Sequence, residues 1–150
     1  MAGVTDQSLH ATAIAANGRA ALIRGASGAG KSDLALRCLA LAPSGLLPHP
    51  VRLVADDRVL LVASGGRLLA RAPDAIRGLI EVRGLGIVEL PAEIEAEVRL
   101  VVDLVARGEI ERLPDPAARV ELRGHRLPAL ALAPFEASAP VKLLLALARA

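Results

Sequence analysis

The stretch that decides the fold reads Gly25-Ala26-Ser27-Gly28-Ala29-Gly30-Lys31-Ser32. It is a complete G-x-x-x-x-G-K-S motif between an apolar β-like run, residues 19–25, and a run of good helix formers, residues 31–42. Glycines let the backbone curl so that successive N–H groups converge on phosphate oxygens, supported by the positive end of the following helix. At this composition a chance match is expected in roughly one sequence in a thousand. The motif predicts a loop that binds a nucleoside triphosphate or similar polyphosphate; a purely structural glycine turn is the alternative.

The last two residues of this phosphate loop, residues 25–32, carry the polar side chains that the chemistry needs. Lys31 can reach the β- and γ-phosphates, and the Ser32 hydroxyl can complete a Mg²⁺ shell. Of the 18 basic residues only Lys31 and Lys142 are lysine. A phosphate loop needs a compact, flexible point charge and not a planar fork, which accounts for Lys31 in an arginine-rich chain. Lys142, on the final predicted helix, is expected at the surface.

The composition excludes several classes of protein. A chain of 150 residues with a net charge of +2 fits one domain without a strongly basic face. Phe135 is the only Phe, Tyr or Trp, so base stacking on single-stranded nucleic acid is not expected. Cys38 is the single cysteine, which excludes an internal disulfide and predicts a buried thiol. No uncharged apolar run reaches the ~18 residues of a membrane helix, and residues 1–18 lack the features of a signal peptide. We expect a cytoplasmic protein without nucleic-acid or membrane partners.

Alternating apolar runs and turn signals around the phosphate loop predict a single α/β domain, residues 1–150, with a mixed sheet. Asn17-Gly18 is a strong hairpin signal, and Ser138 is a plausible cap for the last helix. Strands are predicted over residues 10–16, 19–25, 51–55, 59–63, 67–72, 81–90, 100–105, 119–122 and 127–133. Helices are predicted over residues 31–42, 74–79 and 139–150, and a short helix or loop over residues 91–97.

Missing motifs narrow the kind of nucleotide-binding protein. The only asparagine is Asn17, inside the first hairpin, so the Asn-Lys-x-Asp guanine site of a GTPase is absent. No D-x-x-G switch motif occurs, and we expect no large second domain of the kind that a motor or AAA-type ATPase has. A small kinase remains.

Asp56-Asp57 follows the apolar run of residues 51–55, where a carboxylate could serve a phosphate site. Adjacent side chains of an extended chain face opposite ways, so a strict strand would aim only one of the two at the phosphates. Repulsion between neighbouring carboxylates favours one of them as the proton acceptor for an attacking hydroxyl. A strand-end turn with two solvated aspartates is the alternative.

Glu81-Val82-Arg83-Gly84-Leu85-Gly86 is a second unusual stretch. Glu81 and Arg83, two residues apart, share one face of an extended segment. On composition alone they favour a β-bulge with a surface ion pair. The alternative is a site in which the carboxylate binds Mg²⁺ and the guanidinium a phosphoryl oxygen.

The order of these segments resembles the catalytic domain of the bacterial HPr kinase/phosphorylase family. The similarity rests on a hairpin with His10 near its start, the phosphate loop, Arg52-Leu53-Val54-Ala55-Asp56-Asp57, and Glu81-Val82-Arg83-Gly84-Leu85-Gly86-Ile87. It covers residues 8–90 well and the remainder loosely. It implies a P-loop kinase core like that of phosphoenolpyruvate carboxykinase. It also implies transfer of the γ-phosphoryl group of Mg-ATP to a serine of HPr or an HPr-like phosphocarrier, with reverse phosphorolysis in the family.

The resemblance also implies residue roles. ATP would be held by Gly25, Ala26, Ser27, Gly28, Ala29, Gly30, Lys31 and Ser32. Mg²⁺ would be ligated by Ser32 and Glu81. The catalytic set would be Asp57 as the base towards the serine hydroxyl, Asp56 in its support, His10 beside the base, Lys31 on the phosphates, Arg83, and Arg112 within Glu111-Arg112-Leu113-Pro114.

The sequence departs from the family pattern before the first hairpin, after Leu90, where the usual family loop is missing, and in residues 133–139. Nothing of domain size precedes the first hairpin, so we expect a short form of the family, and the resemblance implies a homo-oligomer of six copies. Residues 133–139 read Ala-Pro-Phe-Glu-Ala-Ser-Ala, where the family has a Pro-x-Arg-Pro-Gly-Arg-Asn loop linked to dephosphorylation. The kinase direction is therefore the firmer expectation. A small-molecule P-loop kinase and a non-catalytic nucleotide sensor are the alternative functions.

Overall fold

Eleven β-strands and two α-helices form the part of the chain that the computed structural model describes, residues 7–150. The strands are β1 (Gln7–Leu9), β2 (Thr12–Ala16), β3 (Arg19–Arg24), β4 (Val51–Ala55), β5 (Val59–Ser64), β6 (Arg67–Arg71), β7 (Leu79–Val82), β8 (Gly86–Glu89), β9 (Glu95–Leu104), β10 (Arg119–Leu122) and β11 (His125–Leu132). The helices are α1 (Lys31–Leu39) and α2 (Ala139–Arg149), with 3₁₀ turns over Asp74–Ile76 and Arg107–Glu109. No helix among these residues is long and apolar enough to cross a bilayer.

The long strand β9 organises a mixed sheet of nine strands. Its neighbour β3 runs parallel to it, and the order across the sheet is β1-β5-β6-β9-β3-β2-β4. The other edge of β9 is shared, because its first residues pair antiparallel with β6 and its last residues pair parallel with β11. Strand β10 adds to β11, while β7 and β8 form a separate hairpin. The predicted mixed sheet is confirmed.

Both faces of the central strands are buried. On β2 and β3, Ile14 and Ile23 contribute to a core with α1, α2 and the β7–β8 hairpin. Alternate residues such as Ala13 and Leu22 contribute to a second core with β5, β6 and β11, strands of the same sheet. Because strands of one sheet supply both sides of the second core, the sheet curls over on itself. Burial on both faces explains why β3 reads as a continuous apolar run.

The topology places several strand ends at one edge of the sheet. Strands β3, β9 and β11 run in the same direction, and β4 runs with them because it pairs antiparallel with β2, which is antiparallel to β3. The loops that follow these strands therefore meet at one edge. Ligands of α/β proteins bind at the carboxyl ends of such strands.

Most predicted elements are confirmed, several with their bounds. Asn17 and Gly18 both have positive φ, 55° and 75°, as the hairpin turn between β2 and β3 requires. Strand β4 has the predicted bounds, and β5 and β6 are joined by Gly65 and Gly66.

Other predictions are wrong for identifiable reasons. Helix α1 ends at Leu39 and not at residue 42, since Pro43 disfavours helical backbone in the residue before it. Residues 91–97 were predicted as a short helix or loop, and only residues 91–94 are a loop. From Glu95 the chain alternates exposed and buried positions and starts β9, because strand pairing overrides the helix propensity of this segment. Residues 74–79 hold only the 3₁₀ turn, and β7 begins at Leu79. Ser138 has helical backbone angles and makes no side-chain cap. Strand β1 was not predicted.

Cys38 is fully buried on α1, and burial raises the pKa of its thiol from 9.0 to about 12. We expect no reaction with a thiol reagent at about pH 8 in the native protein and complete reaction after denaturation, measured by mass spectrometry. Because the unfolded thiol ionises first, Cys38 leaves the free energy of unfolding unchanged below about pH 9 and lowers it as the pH rises towards 12. Rapid modification of the native protein would contradict this burial.

Candidate active site

The phosphate loop joins β3 to α1 with the backbone geometry that its glycines permit. Gly28 and Gly30 have φ of 81° and 104°, and the N–H of Ala29 donates to the carbonyl of Ala26 over 3.0 Å. No side chain caps α1 at Gly30, so no side-chain cap competes with an anion for the N–H groups of its first turn. The predicted strand–loop–helix context of the motif is confirmed.

Lys31 is buried at the first position of α1, with 6% of its surface exposed. Its Nζ donates to the carbonyl oxygens of Gly25 and Ala26, over 2.8 and 3.1 Å. These bonds satisfy a buried ammonium group and hold it across the loop. The cation therefore lies against the backbone that the motif assigns to phosphate.

Arg24, the residue directly before the loop, is fixed by a bidentate ion pair. Its Nε and Nη2 donate to the two carboxylate oxygens of Asp103 on β9, over 2.8 and 3.0 Å. The hydrogen bonds that Arg24 donates to the Asp103 carboxylate raise the pKa of Arg24 above its usual value. This pair joins the ends of β3 and β9 at the point where the loop begins.

Asp56 is a buried carboxylate that connects three elements. Its Oδ1 accepts the Ser32 hydroxyl over 2.6 Å and the Thr12 hydroxyl over 3.0 Å, and its Oδ2 accepts the N–H of Glu81 over 3.0 Å. These three hydrogen-bond donors compensate for the loss of water around a carboxylate that is only 6% exposed. Asp56 thus fixes Ser32 relative to β2 and β7.

Asp57 occupies the left-handed region of backbone space, with φ of 67°. Strand β4 ends at Ala55, and the Thr12 hydroxyl accepts the N–H of Asp57 over 3.2 Å. The alternation expected of an extended chain therefore stops before the two aspartates. Asp56 accepts the hydroxyl of Ser32, which lines the cleft that Asp57 also lines, so both carboxylates lie beside one cleft.

His10 orients the Asp57 carboxylate. Its Nε2 lies 2.7 Å from Asp57 Oδ1, and the two side chains are 50% and 73% exposed. Asp57 Oδ2 has no hydrogen-bond partner within residues 7–150. One oxygen is held, and the other faces solvent, where an incoming hydroxyl can reach it.

A cleft of about 500 Å³ collects most of the predicted site residues. Glu81 and Arg83 line the cleft on the side of the β7–β8 hairpin. Neither side chain forms an ion pair with any residue in the described range. The surface ion pair that composition alone favoured is therefore absent. The polar side chains that line the cleft are Ser27, Lys31, Ser32, Asp33, Asp57, Glu81 and Arg83.

The oxygen donors beside the loop fit Mg²⁺. The Ser32 hydroxyl is held by Asp56, and the exposed Glu81 carboxylate lines the same cleft. Within residues 7–150 no three His, Cys, Asp or Glu side chains form a metal cluster. Mg²⁺ in nucleotide sites uses few protein ligands and completes its shell with phosphate oxygens and water. Ser32 and Glu81 suit this mode of binding.

Arg112 does not join the residues around the cleft. It lies exposed between the Arg107–Glu109 turn and β10, and it is not among the residues that line the cleft. Its catalytic role stays a prediction.

Two residues of the site were not singled out for it from the sequence. Thr12 bridges Asp56 and Asp57 through its hydroxyl. The sequence signal was a single polar residue within the otherwise apolar run of residues 11–15. Phe135 lines the cleft and contacts Gly30, where a Cβ atom would stand 2.9 Å from the Phe135 Cζ. The sequence signal for this residue was that it is the only Phe, Tyr or Trp of the chain.

Replacement of Thr12 by valine is expected to lower the free energy of unfolding by about 1–3 kcal/mol, because one buried and one partly buried hydrogen bond lose a partner. Thr12→Ser keeps the hydroxyl and should recover most of this loss. Urea unfolding of the two variants measures the difference. Equal stability of Thr12→Val and the parent chain would show that the hydroxyl does not support the aspartate pair.

The sequence model of the family described as HPr Serine kinase C-terminal domain matches residues 3–145. A protein of Cupriavidus necator named HPr kinase/phosphorylase is 34% identical over 127 residues, which cover 78% of this chain and 37% of that protein. A protein of the same name from Clostridium tetani is 39% identical over 87 residues, 58% of this chain and 26% of that protein.

The chain thus spans about a third of the length of the curated relatives it matches. The solved structure of the Hpr(Ser) kinase/phosphatase from Coxiella burnetii superposes with a TM-score of 0.78. The match covers 95% of this chain and 89% of that chain, at 24% identity. This similarity establishes the fold.

Proposed function

Because the chain belongs to the HPr Serine kinase C-terminal domain family, we propose that it transfers the γ-phosphoryl group of Mg-ATP to a serine of HPr or of an HPr-like phosphocarrier protein. The family resemblance drawn from the motifs is confirmed.

One observation carries the proposal: the Asp57 carboxylate, oriented by His10, opens onto the same cleft as Lys31. Kinase catalysis consists mainly of positioning and charge neutralisation, together with a base that accepts the proton of the acceptor hydroxyl. A phosphate loop alone would fit a sensor. A free carboxylate oxygen beside it supports transfer.

The proposed step uses the residues around the cleft as follows. The loop N–H groups and Lys31 bind the β- and γ-phosphates, and Asp57 Oδ2 accepts the proton of the serine hydroxyl. The serine oxygen bonds to the γ-phosphorus as the bond to the bridging oxygen breaks, and ADP leaves with the electron pair. Arg83, which has no carboxylate partner in the described range, neutralises charge on the transferred group.

Ser32 and Glu81 are the residues that would hold Mg²⁺, which when bound neutralises charge on the β- and γ-phosphates. Asp56 supports this arrangement by accepting the Ser32 hydroxyl and the Glu81 N–H. Thr12 and Asp56 are therefore proposed as positioning residues, and Asp57 as the base.

The open form of the cleft supports a protein acceptor over a small metabolite. The Asp57 side chain is 73% exposed, and no enclosed acceptor pocket surrounds it in the described part of the chain. Leu85 and Ile87, at the β7–β8 hairpin that carries Arg83, are exposed apolar side chains. Exposed apolar side chains beside a polar cleft suit contact with a second protein.

The proposal is tested by ADP production in three mixtures: Mg-ATP alone, Mg-ATP with an HPr-type protein, and Mg-ATP with that protein after Ser→Ala replacement of its acceptor serine. We expect ADP release that depends on the acceptor serine. ADP release at the same rate in all three mixtures would contradict the proposal. Nucleotide binding without ADP in any mixture would favour a sensor.

The reverse reaction is expected to be slow, at least about tenfold below the forward rate. The loop of residues 133–139 carries neither the arginines nor the asparagine that the family has there. The measurement is pyrophosphate release from phosphorylated HPr-type protein and inorganic phosphate. Efficient release would show that this loop is not needed for phosphorolysis.

A further inference from the structure

Phe135 has an unusual place for the only Phe, Tyr or Trp of the chain. It follows β11 in the loop before α2, and 71% of its surface is exposed. Its ring edge touches the phosphate loop: a Cβ atom added to Gly30 would stand 2.9 Å from Cζ and 3.1 Å from Cε1. A largely exposed ring against the phosphate loop does not serve the hydrophobic core.

The ring belongs to the walls of two neighbouring clefts. One is the phosphate cleft. The other, of about 510 Å³, lies at the ends of the parallel strands β3, β9 and β11 and is lined mainly by apolar groups. Its walls include Ala29, Leu104, Val105 and Pro134, with the Arg107–Glu136 ion pair among them.

Helix α1 fixes the backbone on both sides of the ring. The Arg37 guanidinium donates to the carbonyl oxygens of Pro134 and Glu136, and it also pairs with Asp33 over 3.0 Å. The loop that carries Phe135 is therefore anchored to the helix that begins at the phosphate loop. Anchoring on both sides positions the ring relative to bound phosphate.

We propose that the second cleft binds the base of the nucleoside triphosphate, with the base stacked on Phe135. This inference rests on the proposed function, since it completes the nucleotide site. A nucleoside triphosphate has an anionic end and a flat apolar end, and the two adjacent clefts offer a cationic loop and an apolar wall. Stacking of a base on an aromatic side chain is favourable for every base, because each has a π-face. Phe135 is thus a binding residue for the base.

The test separates base from phosphate by comparing Mg-ATP with Mg-tripolyphosphate in calorimetric titrations of the full chain. Phe135→Ala and Phe135→Leu are each expected to weaken ATP binding about tenfold and to leave tripolyphosphate binding within about twofold. Leucine keeps bulk against Gly30 but has no π-face. Leu46→Ala, which removes another exposed apolar side chain lining neither cleft, is the matched control.

Phe135→Trp adds a direct fluorescence readout, because the parent chain contains no Trp or Tyr. ATP should quench its fluorescence, and tripolyphosphate should not. Equal weakening of both ligands by Phe135→Ala would overturn the inference, since the ring would then only shape the loop. ATP binding no tighter than tripolyphosphate would also overturn it while leaving the proposed function intact. If neither ligand binds the parent chain, the proposed function itself fails.

Discussion

Asp57→Asn is expected to lower the rate of phosphoryl transfer by about 10²- to 10⁴-fold, the range that positioned acid–base groups contribute. The amide has the shape of the carboxylate but cannot accept the proton of the serine hydroxyl. Asparagine also tolerates the left-handed backbone that residue 57 adopts, so this variant avoids the strain that other side chains would add there. The loss should therefore report chemistry and not misfolding.

Nucleotide affinity separates this interpretation from a structural one. Asp57 makes its side-chain contact with His10 and none with the phosphate loop, so the Kd for Mg-ATP should stay within about twofold. Asp74→Asn changes an exposed carboxylate that does not line the cleft and is the matched control. Full transfer activity in Asp57→Asn would remove Asp57 as the base.

Lys31→Ala is expected to raise the Kd for Mg-ATP and to lower transfer, each by about 10²- to 10³-fold. The ammonium group is the only lysine charge at the loop, and its Nζ lies across the backbone of Gly25 and Ala26. Lys31→Arg should weaken Mg-ATP binding and transfer almost as strongly, because a planar guanidinium does not replace a compact point charge at a buried position. Isothermal calorimetry and the transfer assay measure the two effects.

The chain supplies its own control for this pair of variants. Lys142, the only other lysine, is exposed on α2 and pairs with Glu136 over 3.4 Å. Lys142→Arg keeps the charge and should leave binding and transfer unchanged. Thermal unfolding of Lys31→Ala checks that the buried site still folds. Unchanged ATP binding in a folded Lys31→Ala protein would contradict the assignment of the loop.

Local signals were enough to predict the phosphate loop and the hairpins. The glycine spacing of residues 25–32 and the Asn17-Gly18 turn specify backbone conformations within a few residues. The start of β9 at Glu95 was not predicted, because the glutamates and alanines of this segment favour a helix when the segment is considered in isolation. Pairing with β3 and β6 decides that segment, and such pairing lies outside a local window.

The candidate site, too, could be predicted only in part from the sequence. The position of Asp56 and Asp57 after an apolar strand predicted that they lie near the loop. The place of Glu81 and Arg83 there was implied by the family resemblance, since their composition alone favoured a surface ion pair. The shared orientation of the two aspartates depends on the left-handed backbone at Asp57 and on the Thr12 hydroxyl, 45 residues away in sequence. The contact between Phe135 and Gly30 depends on loops at the ends of two different strands. Only the three-dimensional arrangement reveals those contacts.

The most direct test of the proposed kinase activity is the intact mass of an HPr-type protein after incubation with the chain and Mg-ATP. We expect the addition of one phosphoryl group, located by fragmentation on a serine, and no such addition when Asp57→Asn replaces the parent chain. An acceptor that stays unmodified while the chain binds Mg-ATP, or a phosphoryl group on a residue other than serine, would contradict it.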